Sequence, residues 1–298
     1  MGQDGRMGDN SSKRAAELEL IRTVASQCKT AVVTGPARAR WAGLSTLQWV
    51  TTVDLVLPGR TRAWGKTFPD RVYRNGIIRP EEIQVRDGVR IAKGLRGIFD
   101  SFRYYGRKEA LVQLESARWQ QRDLSVEKLL GLSKHLPRAK GTKEFRELIR
   151  YSGDTSASPL ETLKRDTLLQ AIDSGLLTGV ESLEYQVGFD IRGRDGTPTV
   201  AYVDFLINGF IMVEADGDVK KDGTYGDAVD LTLSERYREV QLQNSGGEFV
   251  RTSWHDSAQS FIDQIQLKIN RNPGVYQLPN RRSESFRDFL DRLEREWR

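Results

Sequence analysis

The spacing of apolar positions changes character twice in the first half of the chain. Residues 11–28 place Leu18, Ile21 and Val24/Ala25 on one helical stripe, with Ser11 and Ser12 as caps, which predicts a helix. Over 31–92 the pattern is of short β-rich runs, such as Val50–Leu57 and Val85–Ile91, punctuated by Pro58-Gly59, Asn75-Gly76 and Asp87-Gly88. From Gly94 to Arg150 the period is helical again: Leu95–Tyr104, Lys108–Trp119, a stretch from Ser125, and another around Phe145–Ile149. The small, polar segment Ser152–Ser158 predicts a domain boundary.

The second half opens on Ser158-Pro159-Leu160-Glu161. Ser at the N-cap, Pro at the first helical position and Glu three after the cap form a capping box, so a helix is expected to about Asp173, with Gly175 as its stop signal. A meander follows: Leu183–Ile191, a turn at Asp195-Gly196, Thr199–Ile207, a turn at Asn208-Gly209, then Phe210–Asp216. Beyond a polar loop, a helix over about Leu231–Asn244 puts Leu233, Tyr237 and Val240 on one face. Phe249–Ser253 reads as a strand, Ser257–Ile269 as a helix and Ser285–Trp297 as a last, charged helix. The order α-β-β-β-α-β-α predicts an α/β class with a mixed sheet flanked by helices. The expected organisation is an N-terminal helix (1–30), a smaller basic α+β domain (31–152) and the α/β domain (153–298).

Composition narrows the classes. With 298 residues and 38% hydrophobic residues the chain is long enough for two cores. No apolar run approaches the ~18 residues of a membrane span, and Met1–Lys13 lacks the apolar region of a secretory signal, so a cytoplasmic protein with no membrane partner is expected. One cysteine excludes an internal disulfide framework, and one cysteine with two histidines excludes a Cys/His zinc site. The net charge of +5 conceals a split: residues 1–152 hold 29 Lys/Arg against 16 Asp/Glu, and residues 153–298 hold 17 against 25. A basic first half favours a polyanion, and an acidic second half favours cations or a basic partner.

The candidate chemistry lies on the strands either side of Asn208-Gly209. Asp204, in TVAYVDFLI, and Glu214 and Asp216, in FIMVEAD, put carboxylates on apolar strands, which is costly unless they are paired or bind a cation. Glu214 and Asp216 share a strand face. A two-residue turn would pair Asp204 with Val213 and send Glu214 to the opposite face. A three-residue loop, Ile207-Asn208-Gly209, would pair Asp204 with Met212 and gather all three acids. Two or three convergent carboxylates suit Mg²⁺, which completes its shell with water and substrate phosphate, and Mn²⁺ can take the same place. Lys220, four residues past Asp216, could bring an ammonium to such a site. Asp216-x-Asp218 is not an EF-hand loop, because Lys220 and Lys221 stand where a ligand and the turn glycine belong.

The run VDF, eight residues, then EADGDVK, with SPLE upstream and SERYRE downstream before a strand ending in SW, resembles the Vsr-like proteins of the PD-(D/E)XK, or restriction-endonuclease-like, superfamily. Many of these are C-terminal domains of AbiEi-type antitoxin-like proteins. VVTGPARARWAGL, DLVLPGR, VRDGVRIAKGLRGIFDSF and EALVQLESA look like the segments that precede the nuclease-like domain there, so the resemblance covers about residues 31–256. It implies Asp204 and Glu214 as metal-binding acids, Glu161 as the first-helix acid, Asp216 as the second acid of the E-x-D pair and Lys220 as the basic group. Three departures accompany it. The lysine expected two residues after the Glu is Asp216, the histidine after DG is absent, and no winged helix precedes the basic domain.

Other candidates have structural readings beside functional ones. Glu161 is accounted for as a capping residue, and it can be both cap and site. Glu235, Arg236 and Arg238 match the family's charged helix, where a basic side chain can meet phosphate or simply face solvent. Trp254 reads as core, His135 and His255 as structural or surface residues, and Cys28 as a packed residue. The function expected from the whole is a metal-dependent DNA endonuclease in a bacterial defence or DNA-processing role. The alternative is a non-enzymatic antitoxin-like or regulatory protein that keeps the fold to bind DNA or a protein partner of a toxin–antitoxin system.

Overall fold

Two sheets of five strands, each with its own buried apolar clusters, organise the computed structural model, which describes residues 9–58, 66–216 and 228–296. The chain divides into units Met1–Thr162 and Leu163–Arg298.

The first unit contains α1 (Asp9–Gln27), β1 (Val32–Thr34), α2 (Gly35–Trp41), β2 (Val53–Val56), β3 (Arg71–Tyr73), β4 (Ile83–Arg86), β5 (Val89–Ala92), α3 (Gly94–Tyr105), α4 (Arg107–Gln120), α5 (Val126–Ser133) and α6 (Thr142–Tyr151). Its sheet runs β3-β2-β1-β5-β4, with β1 parallel to β5 and β2 parallel to β3. The helix at the N-terminus belongs to this unit: Ile21 and Val24 pack with Val33, Leu55 and Ile91 of the strands. That packing makes this unit the longer of the two, not the smaller. A separate all-helical cluster is built around Phe99, Leu111, Leu114 and Phe145. Inside the expected run Val85–Ile91, Asp87 (φ +50°) and Gly88 (φ +77°) turn β4 back onto β5, a pair of left-handed positions that Asp-Gly tolerates.

The second unit takes in most of α7 (Pro159–Asp173), then β6 (Leu183–Arg192), β7 (Pro198–Ile207), β8 (Ile211–Ala215), α8 (Ala228–Asn244), β9 (Glu248–Thr252), α9 (Ala258–Arg271), β10 (Arg281–Ser285) and α10 (Phe286–Glu296). The α-β-β-β-α-β-α order holds as far as α9, and β10 is an additional edge strand on β6. The sheet order is β10-β6-β7-β8-β9, antiparallel except for β8 and β9, which lie parallel because α8 carries the chain across between them. One cluster joins Leu168, Phe205, Val213, Phe261 and Ile265; another joins Val187, Phe189, Leu206, Met212 and Leu242. Among the described side chains of α8, Leu242 is buried. Leu233, Tyr237 and Val240 are exposed.

Phe261 has no exposed surface, so Phe261→Ala should cost ~3–5 kcal/mol through lost transfer energy and the cavity left behind. Exposed Leu233→Ala should stay within ~0.5 kcal/mol of wild type. Urea unfolding of both variants checks this, and equal losses would mean the core is misplaced.

Candidate functional site

The hairpin register decides which acids can meet. Asn208 (φ +49°) and Gly209 (φ +73°) are both left-handed, and Phe210 N donates to Ile207 O at 3.2 Å, so the connection is Asn208-Gly209-Phe210 and Ile207 faces Ile211. This is neither the two-residue turn nor the Ile207-Asn208-Gly209 loop considered from sequence. The buried Asn208 side chain pins it: Oδ1 accepts from Glu181 N (2.8 Å) and Ser182 N (3.2 Å), and Nδ2 donates to Gly179 O (2.7 Å). A Cβ on Gly209 would stand 1.9 Å from Tyr276 O, so only glycine fits.

With Phe205 opposite Val213, the register continued by one step sets Asp204 opposite Glu214, rather than opposite Val213 or Met212. Ala215 N donates to Asp204 Oδ2 at 2.8 Å, which draws that carboxylate to the residue beside Glu214. Asp204 Oδ1 accepts from Gln186 Nε2 at 3.3 Å. Gln186 (φ +52°) lies in a left-handed position within β6, at the one step of the β6–β7 register between Tyr185↔Phe205 and Val187↔Val203. The strand is kinked where it meets Asp204.

Glu214 is 3% exposed, and a carboxylate so deep in a sheet requires charge beside it. Arg238 of α8 donates Nη2 to Glu214 Oε1 and Nη1 to Tyr202 O (3.2 Å). Arg251, the direct partner of Glu214 in the parallel β8–β9 register, places Nη2 3.6 Å from Glu214 Oε2. The same guanidinium donates Nη1 to Asp216 Oδ2 (2.9 Å) and Nη2 to Glu239 Oε2 (2.8 Å). Burial alone would lower the Arg251 pKa, but Glu214, Asp216 and Glu239 outweigh it and hold it above the ordinary arginine value.

Asp204, Glu214 and Asp216 are therefore brought to the same end of β8. Glu161 belongs to the other unit and is a helix cap there: Glu161 N donates to Ser158 Oγ at 3.2 Å and its Oε2 accepts from Ala157 N at 2.9 Å, one residue earlier than the usual reciprocal bond. Lys220 lies outside the described residues. Arg251 and Glu239 were not singled out from sequence. The legible signal for Arg251 was a lone charge within the strand Phe249–Ser253.

Among the described residues no group of three or more His, Cys, Asp or Glu side chains converges as a metal site. What is present is a pair of hard oxygen donors, Asp204 and Glu214. Four carboxylates (Asp204, Glu214, Asp216, Glu239) stand against two guanidiniums in this set of contacts. Both features fit a hard divalent cation that takes only two protein ligands and completes its shell with water and substrate. Compared with family models, curated proteins and solved structures, the chain shows no match.

Arg251→Met should strip the shared counter-charge from three acids and cost ~1–3 kcal/mol at neutral pH. Arg251→Lys, which keeps the positive charge, should recover part of that loss, as urea unfolding of the two variants checks. Equal losses in Arg251→Met and Arg251→Lys would show that the charge itself contributes nothing.

Proposed function

We propose that the unit Leu163–Arg298 is a PD-(D/E)XK-like phosphodiester hydrolase, a metal-dependent endonuclease acting on DNA, with Mg²⁺ or Mn²⁺ held by Asp204 and Glu214. The observation that carries this reading is the Ala215 N–Asp204 Oδ2 hydrogen bond, which ties the Asp204 carboxylate to the residue beside Glu214 across the antiparallel β7–β8 pair. The bound cation would supply Lewis acidity and a water of lowered pKa. The remaining work falls to this chain's own groups. Gln186 and the Ala215 amide orient Asp204. Arg238 and Arg251 orient Glu214 and provide positive charge next to the place a phosphate would occupy. Asp216 stands where the superfamily's lysine would be and is held by Arg251, leaving the basic role to that arginine or to Lys220. The basic unit would hold the duplex by phosphate contacts. Among the described residues no helix is long and apolar enough to cross a membrane; the proposed location, where a bacterial cell holds its DNA, is the cytoplasm.

One observation favours the second reading, a non-enzymatic antitoxin-like or regulatory protein. Glu214 already has two arginines against it, so its burial is accounted for without a metal.

Plasmid nicking with Mg²⁺ and Mn²⁺ separates the two. Asp204→Asn and Glu214→Gln should each lose at least ~10²-fold, the order seen when a preorganised charge-stabilising group is removed. Lys220→Ala should slow cleavage and leave metal binding nearly intact. Equal residual activity in wild type and Asp204→Asn would identify a contaminating nuclease and favour the non-enzymatic reading.

A further inference from the structure

In the unit Met1–Thr162, α3 presents Arg96, Asp100, Arg103 and Tyr104 at helical spacing toward the segment Arg74–Ile78. The Arg96 side chain is 3% exposed. Its Nε donates to Asp100 (3.2 Å) and its Nη1 to Glu82 Oε1 (2.9 Å) and Ile77 O (3.1 Å). Its Nη2 is buried and has no hydrogen-bond partner. A buried donor of this strength calls for an explanation, because nearly all such groups are satisfied.

The neighbourhood of Gly76 supplies one. A Cβ built on Gly76 would lie 3.7 Å from Arg96 Nη2, 3.8 Å from Tyr104 OH and 4.0 Å from Arg103 Nη1, so two guanidinium donors from α3, with the Tyr104 hydroxyl accepting from Arg103 Nη1 (3.4 Å) between them, converge on the side of a residue that has no side chain. Gly76 itself is exposed. The donors are held in place. Tyr104 OH donates to Asn75 O (2.9 Å), and the Tyr104 ring carries two guanidiniums, Arg74 at 4.8 Å and Arg103 at 5.1 Å from its centroid. The acids nearby are each engaged. Asp100 accepts from Thr34 and Arg96 and lies 3.7 Å from Arg103, Glu82 is bound by Arg96, and Asp54 accepts from Arg74 (2.6 Å) and Tyr105 OH (2.8 Å).

We propose that Arg96, Arg103 and Tyr104, around Gly76 and with Arg74 beside them, form a binding site for a phosphate group. Guanidiniums give paired donors that match phosphate oxygens, and an anion bridging them would satisfy the orphan Nη2. The phosphate belongs either to a nucleic-acid backbone or to a small phosphate compound. Neither case depends on hydrolysis at Asp204 and Glu214.

The test uses the full chain in phosphate-free buffer, with inorganic phosphate as one probe in thermal-shift titration and a labelled DNA duplex as the other in fluorescence anisotropy. Two variants address the site: Gly76→Val, whose methyls occupy the space, and Arg103→Gln. Arg150→Gln, on an exposed arginine of the same unit, controls for bulk charge. Melting without phosphate confirms that each variant folds. The expected result is a saturable rise in melting temperature for wild type and Arg150→Gln that is lost in both site variants. A duplex affinity falling about tenfold in the same variants, what losing one charge-assisted hydrogen bond gives, assigns the phosphate to a nucleic-acid backbone. An unchanged duplex affinity assigns it to a small phosphate compound. Wild-type responses to both probes in both folded variants, or no response to either probe in wild type, would overturn the proposal.

Discussion

A carboxylate cannot be buried in an apolar strand alone, and the C-terminal unit is built around that constraint at Glu214. The parallel pairing of β8 and β9 puts Arg251 directly beside it, and parallel pairing requires a crossover, which α8 provides. The crossover brings back Arg238 and Glu239, one to meet Glu214 and the other to complete the hold on Arg251. Sheet topology and electrostatics are thus two views of one arrangement. Glu214 is the deeply buried member, and two arginines serve it, so it is the loss of their charge that would leave a buried carboxylate uncompensated.

Asp204 reaches this cluster through a chain of local causes. Asn208 closes its hydrogen bonds on the segment Gly179–Ser182, Gly209 admits the Tyr276 carbonyl, and the resulting register brings Asp204 level with Glu214. The left-handed Gln186 kinks the partner strand at the same level. Three residues that a pattern of apolar positions ignores, Asn208, Gly209 and Gln186, therefore determine which acids are neighbours.

The elements with strong local signals were legible in the chain: the Ser158-Pro159-Leu160-Glu161 helix start, the strands flanking Asn208-Gly209, and the helices from Gly94 onward. Short elements were not. β1, β3 and β10 are three to five residues long, and α2 has seven, too few for a period to stand out; they exist because neighbouring strands and helices cover them. The hairpin register escaped for another reason: Asn208 and Gly209 are fixed by residues distant in sequence. The acids could be named from the sequence, whereas their arginine partners could not, because Arg251 is tied to Glu214 only by strand pairing. In the N-terminal unit the same holds for Arg96, whose partners Ile77 and Glu82 come from the segment ahead of the β4–β5 hairpin and whose third partner, Asp100, is one turn along its own helix.

The proposed hydrolysis at the acidic site depends on Asp204 and Glu214 being able to share one divalent cation. The direct measurement is a crystal structure of the full chain soaked in Mn²⁺ and recorded at the manganese absorption edge. An anomalous peak bridging the Asp204 and Glu214 carboxylates, with at least one of Arg238 and Arg251 moved off Glu214, is the predicted result. No peak there, with both arginines still against Glu214, would contradict it and leave the cluster as a structural device.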